Sequence, residues 1–166
     1  MKNIFKTNIK ISTGTKILIN KENVSIKGPK GSLFLKLPNQ QQNISSSTKK
    51  ALYPLFFRKF QKALVGVNLG YIVRLVFVGV GFRVESLETN FIKLKLGFSH
   101  FVFIKIPPYI SVFSPKKTRL ILKSIDEQLL KEFSSKICSF KLPDVYKGKG
   151  ILYKNQILTL KEGKKK

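Results

Sequence analysis

Residues 91–106 read FIKLKLGFSHFVFIKI. FIKLKL at 91–96 and FVFIKI at 101–106 alternate with the strand period of two, and the glycine-led GFSH between them supplies a turn, so the segment predicts a β-hairpin. Working outward towards the C-terminus, residues 110–113 and 119–123 predict a further strand pair around Ser114-Pro115. SIDE at 124–127 then fits a capping box, with Ser124 as N-cap and Glu127 reaching back to its amide. The helix that follows is expected to bury Ile125, Leu129, Phe133, Ile137 and Phe140, and Pro143 stops it.

Towards the N-terminus, Leu55, Phe56, Lys59, Phe60, Ala63, Leu64 and Val67 trace a second helical stripe, with Pro54 in its first turn and Gly66 and Gly70 closing it. Residues 39–50, NQQQNISSSTKK, are polar and low in complexity, and are read as a mobile loop. Before them, residues 9–11, 16–19, 24–27 and 33–37 read as short strands, with GPKG at 28–31 as a turn. Each half therefore runs from strands to one amphipathic helix to a glycine-bearing segment, VGVNLGY in the first and PDVYKGKG in the second. The expected fold class is α+β: two tandem small domains, 1–71 and 72–166, each a mostly antiparallel sheet packed against one helix, with the loop at 39–50 in the first.

The 166 residues carry 32 Lys plus Arg against 8 Asp plus Glu, a formal charge of +24. Such an excess repels itself until a polyanion neutralises it, which points to nucleic acid ahead of an anionic membrane surface. Only Arg58, Arg74, Arg83 and Arg119 are arginine. Lysine is a compact point charge suited to phosphate, so backbone and shape recognition is expected over forked reading of base edges. Lysine in place of arginine also suits an AT-rich genome, which leaves the shortage of acids unexplained.

Residues 63–82 are mostly apolar, but their glycines, Arg74 and β-branched run argue for a helix end, a link and a buried strand over a membrane span. The start, MKNIFKTNIKIS, has neither a secretory apolar region nor the arginines of a mitochondrial transit peptide, so a protein working in an organelle is expected to be made there.

Candidates for chemistry are few. His100 stands in the hairpin turn beside Ser99 without a second histidine, and reads as a polar turn residue or an RNA contact. Cys138 is the only cysteine, which excludes an internal disulfide and, with one histidine, a zinc site; no metal, cofactor or small-molecule substrate is expected. The bare Gly-x-x-Gly at 28–31 is read as a hairpin turn, and Gly79-Val80-Gly81 as a bend or close packing. PDVYKGKG at 143–150 differs in kind. Gly148 and Gly150 permit close approach of backbone amides to an anion, Lys147 and Lys149 add charge, and Tyr146 offers a flat face or a hydroxyl. On composition, a phosphate cradle and a plain solvated loop both remain open.

With its surroundings, PDVYKGKGI is similar to the C-terminal signature of the bacterial-type large-subunit ribosomal protein number six family. The resemblance continues in order through KGPKG at 27–31, residues 66–71, VGVGFR at 78–83, LKLGFSHFV at 94–102, IPP at 106–108 and the IDEQLLKEFSSKI helix. It departs at 39–57, where the sequence is Gln- and Ser-rich and then aromatic.

The resemblance implies two related α+β domains and a structural, non-enzymatic place in the large subunit, bound to large-subunit rRNA near the factor-binding region and beside other large-subunit proteins. Carried over by position, Pro143, Asp144, Tyr146, Lys147, Gly148, Lys149 and Gly150, with Lys154 just beyond, are expected to bind rRNA. Lys27, Lys30, Ser99 and His100 fall in matching blocks. A free RNA chaperone or regulatory binder outside the ribosome is the alternative. The compartment expected is the mitochondrial matrix ribosome, organelle-encoded, with plastid or bacterial cytoplasm as alternatives.

Overall fold

A computed structural model describes the backbone of residues 14–20, 22–37 and 46–163, and the side chains of the same residues except 46–53. The strand expected at 9–11, residues 39–45 of the expected loop and the last three lysines lie outside the described residues. The chain forms two compact units: one takes in residues up to Gly70 together with Ile125–Glu127, the other Tyr71–Ser124 and the chain from Gln128 onward.

The first unit contains strands β1 (Lys16–Ile19), β2 (Asn23–Gly28) and β3 (Gly31–Lys36), an antiparallel sheet in the order β1-β2-β3, and helix α1 (Ser46–Asn68). Val24 and Ile26, alternate residues of β2, are buried with Ala63, Leu64 and Val67 of α1, and Phe56 and Phe60 pack at the margin. Two expectations are corrected in this unit. Residues 46–50 belong to α1 and not to the loop, which places Pro54 inside the helix. The cost of its missing N–H and its clash with the preceding turn therefore falls within α1, not at its entrance. Leu55, expected on the buried stripe, is 53% exposed, because burial follows Phe56, Phe60, Ala63, Leu64 and Val67 at helical spacing. Gly70 ends the helix with φ +74° and donates its amide to the Gly66 carbonyl at 2.9 Å.

The second unit carries a four-stranded sheet in the order β10-β4-β9-β8, built from β4 (Tyr71–Val78), β8 (Ser111–Lys116), β9 (Arg119–Ser124) and β10 (Gly150–Tyr153). A three-stranded sheet follows β5 (Arg83–Leu87), β6 (Phe91–Lys95) and β7 (Val102–Lys105) in sequence order. Every pairing in both sheets is antiparallel. Leu75, Leu120, Leu122 and Ile151 from one sheet and Ile92, Leu94 and Ile104 from the other share a core with Leu130, Phe133 and Ile137 of α2 (Glu127–Ser139). The fold class is α+β.

Three further details differ from the expected pattern. Ser114-Pro115 lies within β8 at an irregularity between Phe113 and Lys116, where a proline is tolerated because the ladder is already interrupted. Ser124 is the last residue of β9 and its hydroxyl donates to the Tyr109 carbonyl at 3.0 Å; α2 begins only at Glu127. The buried stripe of α2 is Leu130, Phe133, Ser134, Ile137 and Cys138; Leu129 is half-buried and Phe140 lies beyond the helix end. A strict spacing of four drifts about 40° per step around a helix of 3.6 residues per turn, whereas mixed steps of three and four hold one face.

Candidate nucleic-acid interface

The segment 143–150 connects the end of α2 to β10, and its shape follows from one carboxylate and two glycines. The Asp144 carboxylate accepts the amides of Tyr146 at 3.2 Å and Lys147 at 3.3 Å, while its carbonyl accepts the Gly148 amide at 2.9 Å. Its own amide donates to the Lys149 carbonyl at 2.9 Å. Such Asx-type bonding folds the chain back on itself without a ligand. Gly148 adopts φ +66° and Gly150 lies so close to Pro143 that an added Cβ would stand 2.6 Å from the Pro143 Cα.

Both glycines are buried. Their expected part as amide donors to an anion is therefore corrected for Gly148, whose amide is already spent inside the loop. The glycines allow the close packing, and the loop displays Asp144, Tyr146, Lys147 and Lys149 at the surface.

Beside this loop is an open groove of about 620 Å³ lined by Phe82, Phe98, Phe140, Lys141, Asp144 and Lys149 among others. Its far wall is the turn after β6. There Gly97 has φ +75° and an added Cβ would stand 2.8 Å from the Phe82 ring, so the turn is held against the core. The rings of Phe98 and His100 stack at 5.7 Å between centroids and 13° between planes, and Lys141 Nζ stands 5.1 Å from the Phe98 centroid. Ser99 and His100 are exposed in the same turn. The fold thus gathers Lys149, Asp144, Phe98 and Lys141 at one groove, with His100 stacked on Phe98. Sequence reasoning missed Phe98 and Lys141. The signal was present for Phe98, an aromatic in a glycine turn next to two polar residues.

Lys154 is elsewhere on the second unit, exposed, with its amide donating to the Arg74 carbonyl at 2.9 Å beside a hollow of about 200 Å³ that Arg74, Tyr153 and Asn155 also line. Lys27 and Lys30 belong to the first unit, exposed at the β2–β3 hairpin, whose turn is Pro29-Lys30.

Chemistry beyond charge and stacking has little to work with. His100 stacks on a ring and is not set against a carboxylate among the described residues. Cys138 is buried on α2, and burial pushes its thiol above the ordinary range despite a hydrogen bond with Tyr153, which favours the thiol over the nucleophilic thiolate. Among the described residues no three His, Cys, Asp or Glu side chains are placed to hold a metal ion, and no helix is long and apolar enough to cross a membrane. Residues 63–82 divide between the end of α1, β4 and the turn at Gly79 and Gly81, both with positive φ.

The second unit defines a class of protein: a basic α+β module with lysines and flat rings displayed at one groove. Comparison with known sequences narrows the class to one family. The pattern of the family described as Ribosomal protein L6 matches residues 78–154. Three similar proteins each bear the name Large ribosomal subunit protein uL6. That of Buchnera aphidicola is 32% identical over 178 aligned residues and that of Cellvibrio japonicus 33% over 178, both covering 100% of each chain. That of Chlorobium chlorochromatii is 36% identical over 176, covering 99% of this chain and 98% of its own. The chain belongs to the ribosomal protein L6 family.

Proposed function

We propose that this chain is a structural constituent of the large ribosomal subunit which binds large-subunit rRNA near the factor-binding region, next to other large-subunit proteins, with no catalytic step of its own. The observation that carries the reading is the full-length similarity to relatives named for the large subunit. The groove and loop of the second unit supply a mechanism. Lys147 and Lys149 are held outward by a loop in which the amides of Asp144, Tyr146, Lys147 and Gly148 are bonded internally, so they meet phosphates as ammonium groups on a fixed frame. Tyr146, 59% exposed, and the Phe98–His100 stack offer flat faces to ribose or base.

The test is retention. A tagged chain carrying Lys147→Ala and Lys149→Ala is expected to leave the large subunit during a high-salt sedimentation wash that the unaltered chain survives; equal retention overturns the assigned role of the loop. An unaltered chain that stays at the top of the gradient favours a free RNA binder instead. For the compartment we propose the mitochondrial ribosome, supported by the use of 28 lysines against four arginines among the 32 cations. Fractionation placing the chain in plastids or in a bacterial cytoplasm overturns that part alone.

A further inference from the structure

We propose that the outer face of the β5-β6-β7 sheet is a second RNA contact, one that holds unpaired bases by stacking. It rests on the reading of this chain as an RNA-bound protein but uses different residues. Residues alternate along β6 and β7, and the inward set, Ile92, Leu94, Val102 and Ile104, is buried in the core. The outward set is unlike an ordinary solvated strand face. Phe91, Phe101 and Phe103 are 44%, 40% and 63% exposed, and they alternate with Lys93, Lys95 and Lys105. The ladder sets Phe91 opposite Lys105 and Lys93 opposite Phe103, so basic and aromatic side chains form a checkerboard. Lys93 Nζ stands 4.2 Å from the Phe101 centroid and 5.7 Å from that of Phe103.

The occupant follows from that pairing of chemistries. An apolar protein surface would cover the rings but strand the ammonium groups away from water. A regular duplex would offer phosphates to the lysines, but its bases are stacked inside the helix, out of reach of the rings. A single strand presents both, phosphates for the lysines and flat bases for the phenylalanines, as other basic stacking platforms do. No carboxylate on β6 or β7 opposes this, and the one on β5, Glu85, is held by Arg83 at 2.7 Å. The resting Lys93–Phe101 contact keeps the ring covered by a cation that transfers to phosphate when a strand arrives.

The experiment uses the full chain and fluorescein-labelled decauridylate, read by anisotropy at fixed salt. Phe103→Leu, which keeps the apolar bulk and removes the flat face, is expected to weaken binding about 5- to 150-fold, the loss of one base–ring stack. Phe103→Trp, which restores a ring, is expected to stay within about threefold, and this separates the stacking face from any change in folding. A blunt RNA duplex should bind the unaltered and Phe103→Leu chains alike. Unchanged decauridylate affinity in Phe103→Leu overturns the proposal, as does an equal loss for Leu and Trp. Loss of large-subunit retention in Phe103→Leu with decauridylate binding intact also overturns it, by assigning the face to a protein neighbour. Failure of the ribosomal reading would appear separately, as an unaltered chain that stays at the top of the sedimentation gradient.

Discussion

Two loops of this protein share a vocabulary of proline, lysine and glycine, and they are built for different ends. KGPKG at 27–31 closes the β2–β3 hairpin through Pro29-Lys30, with Gly28 paired to Gly31 across the ladder. The Lys30 amide donates to the Val67 carbonyl at 3.0 Å, and a Cβ on Gly28 would stand 2.5 Å from Val67 Cγ1. That loop is seated on the end of α1 and is spent on packing. PDVYKGKG at 143–150 also uses its glycines for close packing, but Asp144 gathers three successive amides and leaves two lysines and a tyrosine facing outward beside a groove. Glycine serves the fold in both. The difference lies in a carboxylate that makes the second loop rigid without a ligand.

The largest expected effect comes from the glycines themselves. Gly150→Ala places a methyl 2.6 Å from Pro143 Cα and 2.8 Å from the Leu142 carbonyl, both backbone atoms that have nowhere to move. It should cost about 3 kcal/mol in denaturant titration of the full chain. Gly28→Ala meets a methyl of Val67 first and no backbone atom nearer than 3.2 Å, and should cost less, about 1–2 kcal/mol. If Gly28→Ala proves the more damaging of the two, the hairpin is the more tightly seated loop and the contrast between them is reversed.

The strands were legible because their period is short and their exposure one-sided: β2 and the 91–106 hairpin follow directly from alternation. Helix phase was harder to read. Leu129 and Leu130 are equally apolar, and only packing against two sheets at once selects Leu130. Pro54 misplaced the start of α1, since a proline is commoner at a helix entrance than inside it. In the site, Lys147, Lys149 and Tyr146 were visible by charge and by ring. That the Gly148 amide is consumed by Asp144 was not, because a hydrogen bond within a loop leaves no periodic trace. Lys141 escaped for a related reason: its place beside Phe98 joins positions more than forty residues apart in the chain.

An intermediate effect should appear in the salt dependence of binding to a large-subunit rRNA fragment. With Lys147→Ala and Lys149→Ala the slope of log affinity against log salt should fall by about two, near 0.9 for each phosphate that is no longer neutralised. With Lys27→Ala and Lys30→Ala it should fall by about one or less, because the Lys30 backbone is anchored to α1 and its loop is spent on packing. Equal reductions in slope would place both loops against RNA and erase the functional half of the contrast.

The smallest expected effect is the most discriminating, because its sign is in question. Asp144 carries a negative charge next to lysines assigned to phosphate, so by Coulomb's law alone Asp144→Ala should tighten RNA binding. By the geometry it should do the opposite. Without the carboxylate the amides of Tyr146 and Lys147 lose their acceptor, and the exposed loop returns to many conformations in which the two lysines no longer share a frame. Stability should change by no more than about 1 kcal/mol, since both bonds are at the surface and water replaces them. Affinity for the rRNA fragment should fall about threefold, with the salt slope nearly unchanged because both lysines are still present. A gain in affinity would show that Asp144 acts as a charge and not as a brace, and the two loops would then differ only in length.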